Sequence, residues 1–272
     1  MNPFVNYISI FILFILYLII KTNVHKQKLK RLFNQPLPQN IISIIEKKLP
    51  PYRNMNANFK AHLQGNIQIF LYDKIFEGCG GLKITKEIKI TIACQACLLL
   101  LNRKTKCYPK LKTILVYPTA YKDNQKRILG TSEVDSSVRL GESWKSGEVV
   151  LSWDSVRAGI SNYQDGHNVT FHEFAHQLDQ ESGDANGAPI LESKSAYSTW
   201  AKVFTKEFYK LIQTSQKGKK SVIYEYGTTN PAEFFAVASE AFFEKPRQLK
   251  NKHSALYNEL CSYYKVSPID WL

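Results

Sequence analysis

The spacing of hydrophobic positions changes several times along the chain, and each spacing predicts an element. From Phe4 to Ile20 the sequence is almost continuously apolar, interrupted only by Asn6, Tyr7 and Ser9. A run of this kind has no polar face and, at roughly the 17–25 residues a bilayer requires, reads as a minimal membrane-spanning helix. Lys21 to Asn40 is basic and polar, with Pro36 and Pro38 near its end, and no fold is assigned to it.

Helical periodicity then returns from Ile41 to Phe76, carried by Ile42, Ile45, Leu49, Phe59, Leu63, Ile67 and Phe70. A glycine break at Gly78, Gly80 and Gly81 precedes the apolar run Ile90–Leu101, a buried helix. Thr113–Pro118 alternates as a strand does, and Glu148–Trp153 is a second strand in a stretch of turns and short β-prone pieces from Leu129 to Ser161. Asn168–Glu181 has one apolar helical face, formed by Phe171, Phe174, Ala175 and Leu178. Further helices are predicted at Ser195–Thr214 and at Pro231–Glu244, the latter starting after Asn230, a good N-cap followed by a proline tolerated in the first turn. Mixed helix and strand of this order predicts an α+β body.

Charge sharpens the reading of the N-terminus. The chain of 272 residues carries a formal charge of +13, with 44% hydrophobic and 22% charged residues, values of a folding globular protein. Lys21 to Lys60 holds nine Lys or Arg against the single acid Glu46, so +8 of the total sits there and +5 remains for residues 61–272. Direct nucleic-acid binding is therefore not expected of the body. The cluster Lys21, Lys26, Lys28, Lys30 and Arg31 follows the apolar run rather than preceding it. That order argues against a cleaved signal peptide and predicts an uncleaved anchor with the body on the cytoplasmic side. The same basic residues would meet anionic membrane lipid.

Five cysteines, Cys79, Cys94, Cys97, Cys107 and Cys261, form no disulfide framework and suit a reducing compartment. Cys94 and Cys97 make a C-x-x-C pair, but inside an apolar run they read first as small core residues on one helical face.

The chemistry lies in His172-Glu-Phe-Ala-His176. Residues four apart share a helical face, so both imidazoles can point at one metal ion, and Glu173 can reach a water there without taking a coordination position. The motif arises by chance in roughly one chain in a hundred of this size, so other residues must corroborate it. A catalytic zinc commonly takes three protein ligands. No histidine follows before His253, which leaves carboxylates: Asp179, Glu181, Asp184, Glu192, Glu207, Glu225, Glu233, Glu240 and Glu244. Spacing does not choose among them; Glu233 and Glu240 lie two turns apart on one predicted face. Asp179, seven residues past His172, is a candidate partner for a ligand imidazole.

Gly141-Glu-Ser-Trp144, Val150-Leu-Ser-Trp-Asp154, Asp165-Gly-His-Asn168, His172-Glu-Phe-Ala-His-Gln-Leu-Asp179 and Asn230-Pro-Ala-Glu-Phe-Phe-Ala-Val-Ala-Ser-Glu240 together resemble the Mlc titration factor A family of zinc-dependent peptidases. The likeness also takes in Phe76-Glu-Gly and Ala96–Leu101, and covers roughly residues 41–272. In that family, and in the similar catalytic domain of the anthrax lethal toxin, a Tyr-Gly pair precedes the third ligand, a Glu seven residues after the Tyr. Tyr226-Gly227 and Glu233 keep that interval.

The resemblance thus implies one zinc ion on His172, His176 and Glu233, with Glu173 as general base and Tyr226 near the substrate carbonyl. Glu240 is left as a supporting carboxylate. It implies a zincin-like catalytic half, residues 129–272, behind a mostly helical half, 41–128; the expected anchor at 1–21 and basic tether at 22–40 lie outside the likeness. The expected activity is hydrolysis of a peptide or protein substrate, leaning toward aminopeptidase-like action. The family's name also implies a second role: binding and sequestering a transcriptional regulator, here at the membrane.

Overall fold

The computed structural model describes residues 3–103, 107–119, 121–122, 138–139, 141–144 and 147–271. The turn-rich stretch 123–137, with the predicted boundary at 128/129, lies outside the described residues. Ten α-helices and six strands are described: α1 (Pro3–Asn34), α2 (Gln39–Lys48), α3 (Ala57–Asp73), β1 (Ile75–Gly78), α4 (Lys86–Leu98), β2 (Thr113–Tyr117), β3 (Tyr121–Lys122), β4 (Val138–Arg139), β5 (Gly141–Trp144), β6 (Glu148–Ser152), α5 (Trp153–Ser161), α6 (Val169–Asp179), α7 (Lys194–Gln216), α8 (Pro231–Glu244), α9 (Pro246–Lys252) and α10 (Ser254–Tyr264). The class is α+β, mostly helical.

The expected transmembrane anchor is not supported. Among the described residues no helix is long and apolar enough to cross a membrane. The physical reason is length: the uncharged run in α1 is 17 residues, about 26 Å at 1.5 Å per residue, against a hydrocarbon core of about 30 Å. Asn6 and Ser9 dilute it, and the helix continues without a break into Lys21, Lys26, Lys28, Lys30 and Arg31. The single-pass placement with a cytoplasmic body falls with the anchor.

The segment left without a fold, from Lys21 onward, is helical to Asn34 and docks on α3. Phe33 meets the His62 ring edge-on, and the Lys28 ammonium lies 4.3 Å from the Tyr72 ring centre. Gly65 makes this approach possible, since a Cβ there would stand 2.6 Å from the Phe33 carbonyl oxygen.

Side-chain caps set where helices begin. Asn56, Thr85, Ser152, Asn168, Ser193 and Asn230 each accept the N–H three residues on, opening α3, α4, α5, α6, α7 and α8. The cap at Ser152 ends the β6 reading one residue early and turns Trp153 into helix. Ile75 and Phe76, expected to prolong α3, pair instead with Thr113 and Ile114 as strand.

The main sheet has the order β1-β2-β6-β5, with β1, β2 and β6 parallel and β5 antiparallel. The predicted strand β6 is therefore interior, and the neighbouring β5 lies at the edge among the described residues. α4 crosses from β1 to β2, and α6 packs between the sheet, α4 and α8. One apolar core runs from Ile45 through Phe70, Leu98, Leu151, Phe174 and Phe235 to Trp271. Cys94 and Cys97 lie within it, fully buried. Cys94 Sγ donates to the Thr91 carbonyl at 3.2 Å, and burial, with the neighbouring Cys107 adding to it, holds the Cys97 thiol well above its ordinary value. Burial pushes the Cys94 thiol up to about 12, a packing cysteine and not a nucleophile.

Candidate metal centre

Two helices meet at the site. α6 starts at the Asn168 cap, whose Oδ1 accepts from Phe171 N at 3.1 Å, so His172 and His176 leave the same face one turn apart. α8 starts at the Asn230 cap, which accepts from Glu233 N at 3.0 Å and presents Glu233 in its first turn. The aromatic and small residues along α8, Phe234, Phe235, Ala236, Val237 and Ala238, are buried and press it against α6.

The result brings three donor atoms together. His172 Nε2 lies 2.9 Å from Glu233 Oε2, His176 Nε2 lies 3.3 Å from the same oxygen, and the two Nε2 atoms are 3.2 Å apart. A tetrahedral ion with bonds of about 2.0–2.1 Å needs its ligand atoms about 3.3 Å apart. The residues fit such an ion in donor type as well. Glu240 Oε1 accepts from His172 Nδ1 at 2.8 Å, which puts the ring's proton on Nδ1 and leaves a lone pair on Nε2 facing the Glu233 carboxylate. Two acceptors at 2.9 Å need a positive charge between them, and a proton or a metal cation supplies it.

Electrostatics tell the same story. Burial acts to lower the His172 ring, but hydrogen bonds to Glu233 and Glu240 overcome it and hold the ring well above its ordinary value. Burial acts to raise Glu233, yet the hydrogen bonds of His172 and His176 bring its carboxyl down to about 2. Glu173 differs: burial pushes it up to about 7, opposed by the two imidazoles. Its oxygens have no hydrogen-bonded protein partner among the described residues, so a carboxyl poised near neutrality is left for exchange with solvent or ligand. Tyr226, half exposed, stands with its ring centre 6.0 Å from that of His172. Its position is set by Gly227, where a Cβ would meet Val237 Cγ2 at 2.5 Å.

Glu240 is engaged more fully than the sequence suggested. Its second oxygen accepts the Asn168 N–H at 2.5 Å, and Glu244, one turn on, accepts from Asn168 Nδ2 and Gly166 N at 2.9 and 3.0 Å. Seven residues along α8 span about 10 Å, so Glu233 and Glu240 flank one imidazole from its two nitrogen ends. Their shared helical face was the available signal. Burial raises Glu244 to about 8, and the charge of Glu240 adds to the effect.

Three of the other candidate carboxylates, Asp179, Glu207 and Glu192, are occupied elsewhere. Asp179 does not orient an imidazole; its Oδ2 accepts Gly187 N at 2.7 Å and ties down the loop between α6 and α7. Trp200 Nε1 donates to Gly187 O, and Gly187 adopts φ +76° with no room for a side chain beside the Pro231 carbonyl. Glu207 pairs with His253, and Glu192 with Lys265.

Residues 22–265 match the family described as glucose-regulated metallo-peptidase M90. The chain belongs to this family. It is 41% identical over 245 residues to an uncharacterized protein of Synechocystis sp., covering 88% of each chain. It is 28% identical over 208 residues to the Mlc titration factor A of Yersinia pestis and of Yersinia pseudotuberculosis, covering 73% of this chain and 74% of the relatives. Membership of a metallopeptidase family implies a metal, and His172, His176 and Glu233 form a group that could hold one.

Proposed function

We propose that the protein is a zinc-dependent peptidase that binds one zinc ion through His172, His176 and Glu233. The observation that carries this reading is the trio of donor separations, 2.9, 3.2 and 3.3 Å, close to the edges of a zinc tetrahedron. Zinc bound there would supply Lewis acidity, activating water near neutral pH and polarising the scissile carbonyl.

The chain's own groups do the rest. Glu173 takes a proton from the attacking water and returns it to the leaving nitrogen. The Tyr226 hydroxyl donates to the carbonyl oxygen as negative charge develops on it, an interaction worth about 2.7–4 kcal/mol for one donor. Glu240 keeps the His172 ring in one tautomer and one orientation. β5, antiparallel at the sheet edge among the described residues and packed near α6, offers a strand along which an extended peptide can pair through main-chain hydrogen bonds.

Metal analysis and a peptide-library cleavage assay test the reading. Wild type and Glu173→Gln should each hold about one zinc, the three ligands being intact, and only wild type should cleave. A Glu173→Gln variant as fast as wild type would remove the proposed mechanism.

A second reading is supported by the name of the Yersinia relatives, Mlc titration factor A: this chain binds and sequesters a transcriptional regulator. Both roles predict an ordered α6–α8 face. They separate in Glu173→Gln, which abolishes cleavage and leaves capture of a regulator unchanged.

A further inference from the structure

A cavity of about 300 Å³ lies between the end of α7, the residues just ahead of α6 and those just ahead of Tyr226. Its floor is apolar, formed by the buried side chains of Leu211 and Ile223. Its rim is cationic. Helix α7 ends at Gln216, and Gly218 just past it lies in the left-handed region at φ +63°, with Gly218 N donating to Ser215 O at 2.8 Å and Lys219 N to Thr214 O at 3.1 Å. This C-cap fixes the direction in which Lys219 and Lys220 leave the helix. Lys245, just past α8, runs its side chain along the backbone of Gly166 and reaches the same cavity.

None of these three lysines forms an ion pair among the described residues. Among the described residues Glu225 is the only acid lining the cavity. The neighbouring carboxylates are turned to backbone: Asp165 Oδ1 accepts from His167 N, and Glu244 Oε2 from Gly166 N. The lining therefore carries three ammonium groups against one carboxylate, an excess of positive charge over an apolar floor.

Its wall connects directly to the metal centre. Tyr224 packs edge-on against His167, ring centres 4.2 Å apart, and Tyr224 and Glu225 immediately precede Tyr226. His167 lies just ahead of α6. The segments that lead into Tyr226 and into the helix of His172 therefore also line this cavity.

We infer that the cavity is a subsite for a carboxylate of the peptide substrate, presented as a Glu or Asp side chain or as a free carboxyl terminus. The inference rests on the peptidase reading for its ligand. The methylenes of the acidic residue cover Leu211 and Ile223 while its carboxylate sits among the ammonium groups of Lys219, Lys220 and Lys245. Because the lysines lie at the rim, the attraction is screened by salt.

The test uses fluorescent peptides and the full-length, zinc-loaded Glu173→Gln variant, with binding read by anisotropy. One peptide carries Glu near its centre and an amidated end, a second carries Gln there with the same end, and a third carries Gln with a free carboxyl terminus. Two or three exposed ion pairs predict roughly five- to thirtyfold tighter binding of the peptide holding the right carboxylate, lost at high salt. The first or the third peptide shows the preference according to which carboxylate the subsite takes. In Glu173→Gln carrying Lys219→Glu and Lys220→Glu as well, a central Lys should be preferred over a central Glu, a gain that a misfolded protein would not show. Equal affinity for all three peptides, or an acidic preference that survives the charge reversal, overturns the inference. If wild type cleaves no peptide while the lysine-dependent preference is present, the carboxylate subsite stands and the peptidase reading fails. Cleavage without the preference has the opposite meaning.

Discussion

Replacing Glu240 by Gln isolates the support behind the first imidazole. The wild-type carboxylate accepts twice, from His172 Nδ1 at 2.8 Å and from Asn168 N at 2.5 Å. A glutamine of the same shape has one oxygen and one NH2 group, so one of its two ends must face a donor with a donor. If the amide oxygen keeps Asn168, the His172 ring is free to flip its tautomer and loses the lone pair aimed at the metal. If it keeps His172, the buried Asn168 N–H is orphaned at the start of α6, at a cost of about 1–3 kcal/mol. The first outcome weakens metal binding by about 10–100-fold, the usual loss when such a partner is removed, or about 1.4–2.8 kcal/mol. Zinc affinity measured by competition with a chromophoric chelator reads the first, and chemical denaturation with zinc present and absent reads the second. Glu233→Ala, which removes a donor outright, should weaken zinc binding further. Wild-type zinc affinity together with wild-type stability in Glu240→Gln would refute the argument.

Other predictions address separate parts of the molecule. Gly227→Ala should destabilise the protein by about 1–3 kcal/mol, because the new methyl overlaps Val237 and Leu211; it should also shift Tyr226 and lower turnover, readable by thermal melting and steady-state rates. The buried Glu207–His253 pair, 2.6 Å apart, makes stability pH-dependent. Burial acts to raise Glu207, but the hydrogen bond and charge of His253 leave it below 4.5. A carboxyl lowered on folding stabilises above its unfolded value and loses that contribution as pH falls through the folded one, so the loss begins below about pH 4.5. Denaturation midpoints in Glu207→Gln should be lower than wild type at neutral pH, and the difference should narrow below pH 4.5; an equal gap throughout would contradict it. Glu173→Gln should hold zinc and lack hydrolysis, as metal analysis and the cleavage assay will show.

Where local signals were strong, the sequence was legible. Asn230-Pro231 marked the start of α8, and the apolar face of Phe171, Phe174 and Leu178 marked α6. These two helices carry the candidate donor set, but spacing left Glu233 and Glu240 open, and only the family resemblance, through the Tyr226-Gly227 interval, pointed to Glu233. Four features were misread or missed, two of them, the turn at Lys74 and the grip of Glu240, because they depend on distant partners. Ile75 and Phe76 look like a continuation of α3, but Lys74, buried, donates to the carbonyls of Tyr108 and Leu111 and turns the chain into the sheet. Ser152 closes a strand and caps a helix at once, and alternation reveals only the first role. The apolar run in α1 was visible, but its reading as an anchor gave too little weight to its 17-residue length and to the helical continuity into the basic segment. The grip of Glu240 on both His172 and Asn168 arises from α6 and α8 crossing, which no spacing within either helix encodes.

The donors on α6 and α8 are 61 positions apart in the chain, from His172 to Glu233, and everything between them, including α7, is a loop that a bound ion would close. A cross-link around a loop of that size removes disorder from the unfolded chain equivalent to roughly 4 kcal/mol on the chain-entropy picture. The ion would thus serve as a staple as well as a reagent. Chelation should loosen α7 and its flanking turns before the β1-β2-β6 sheet, and limited proteolysis after treatment with a chelator should cut first between residues 183 and 230.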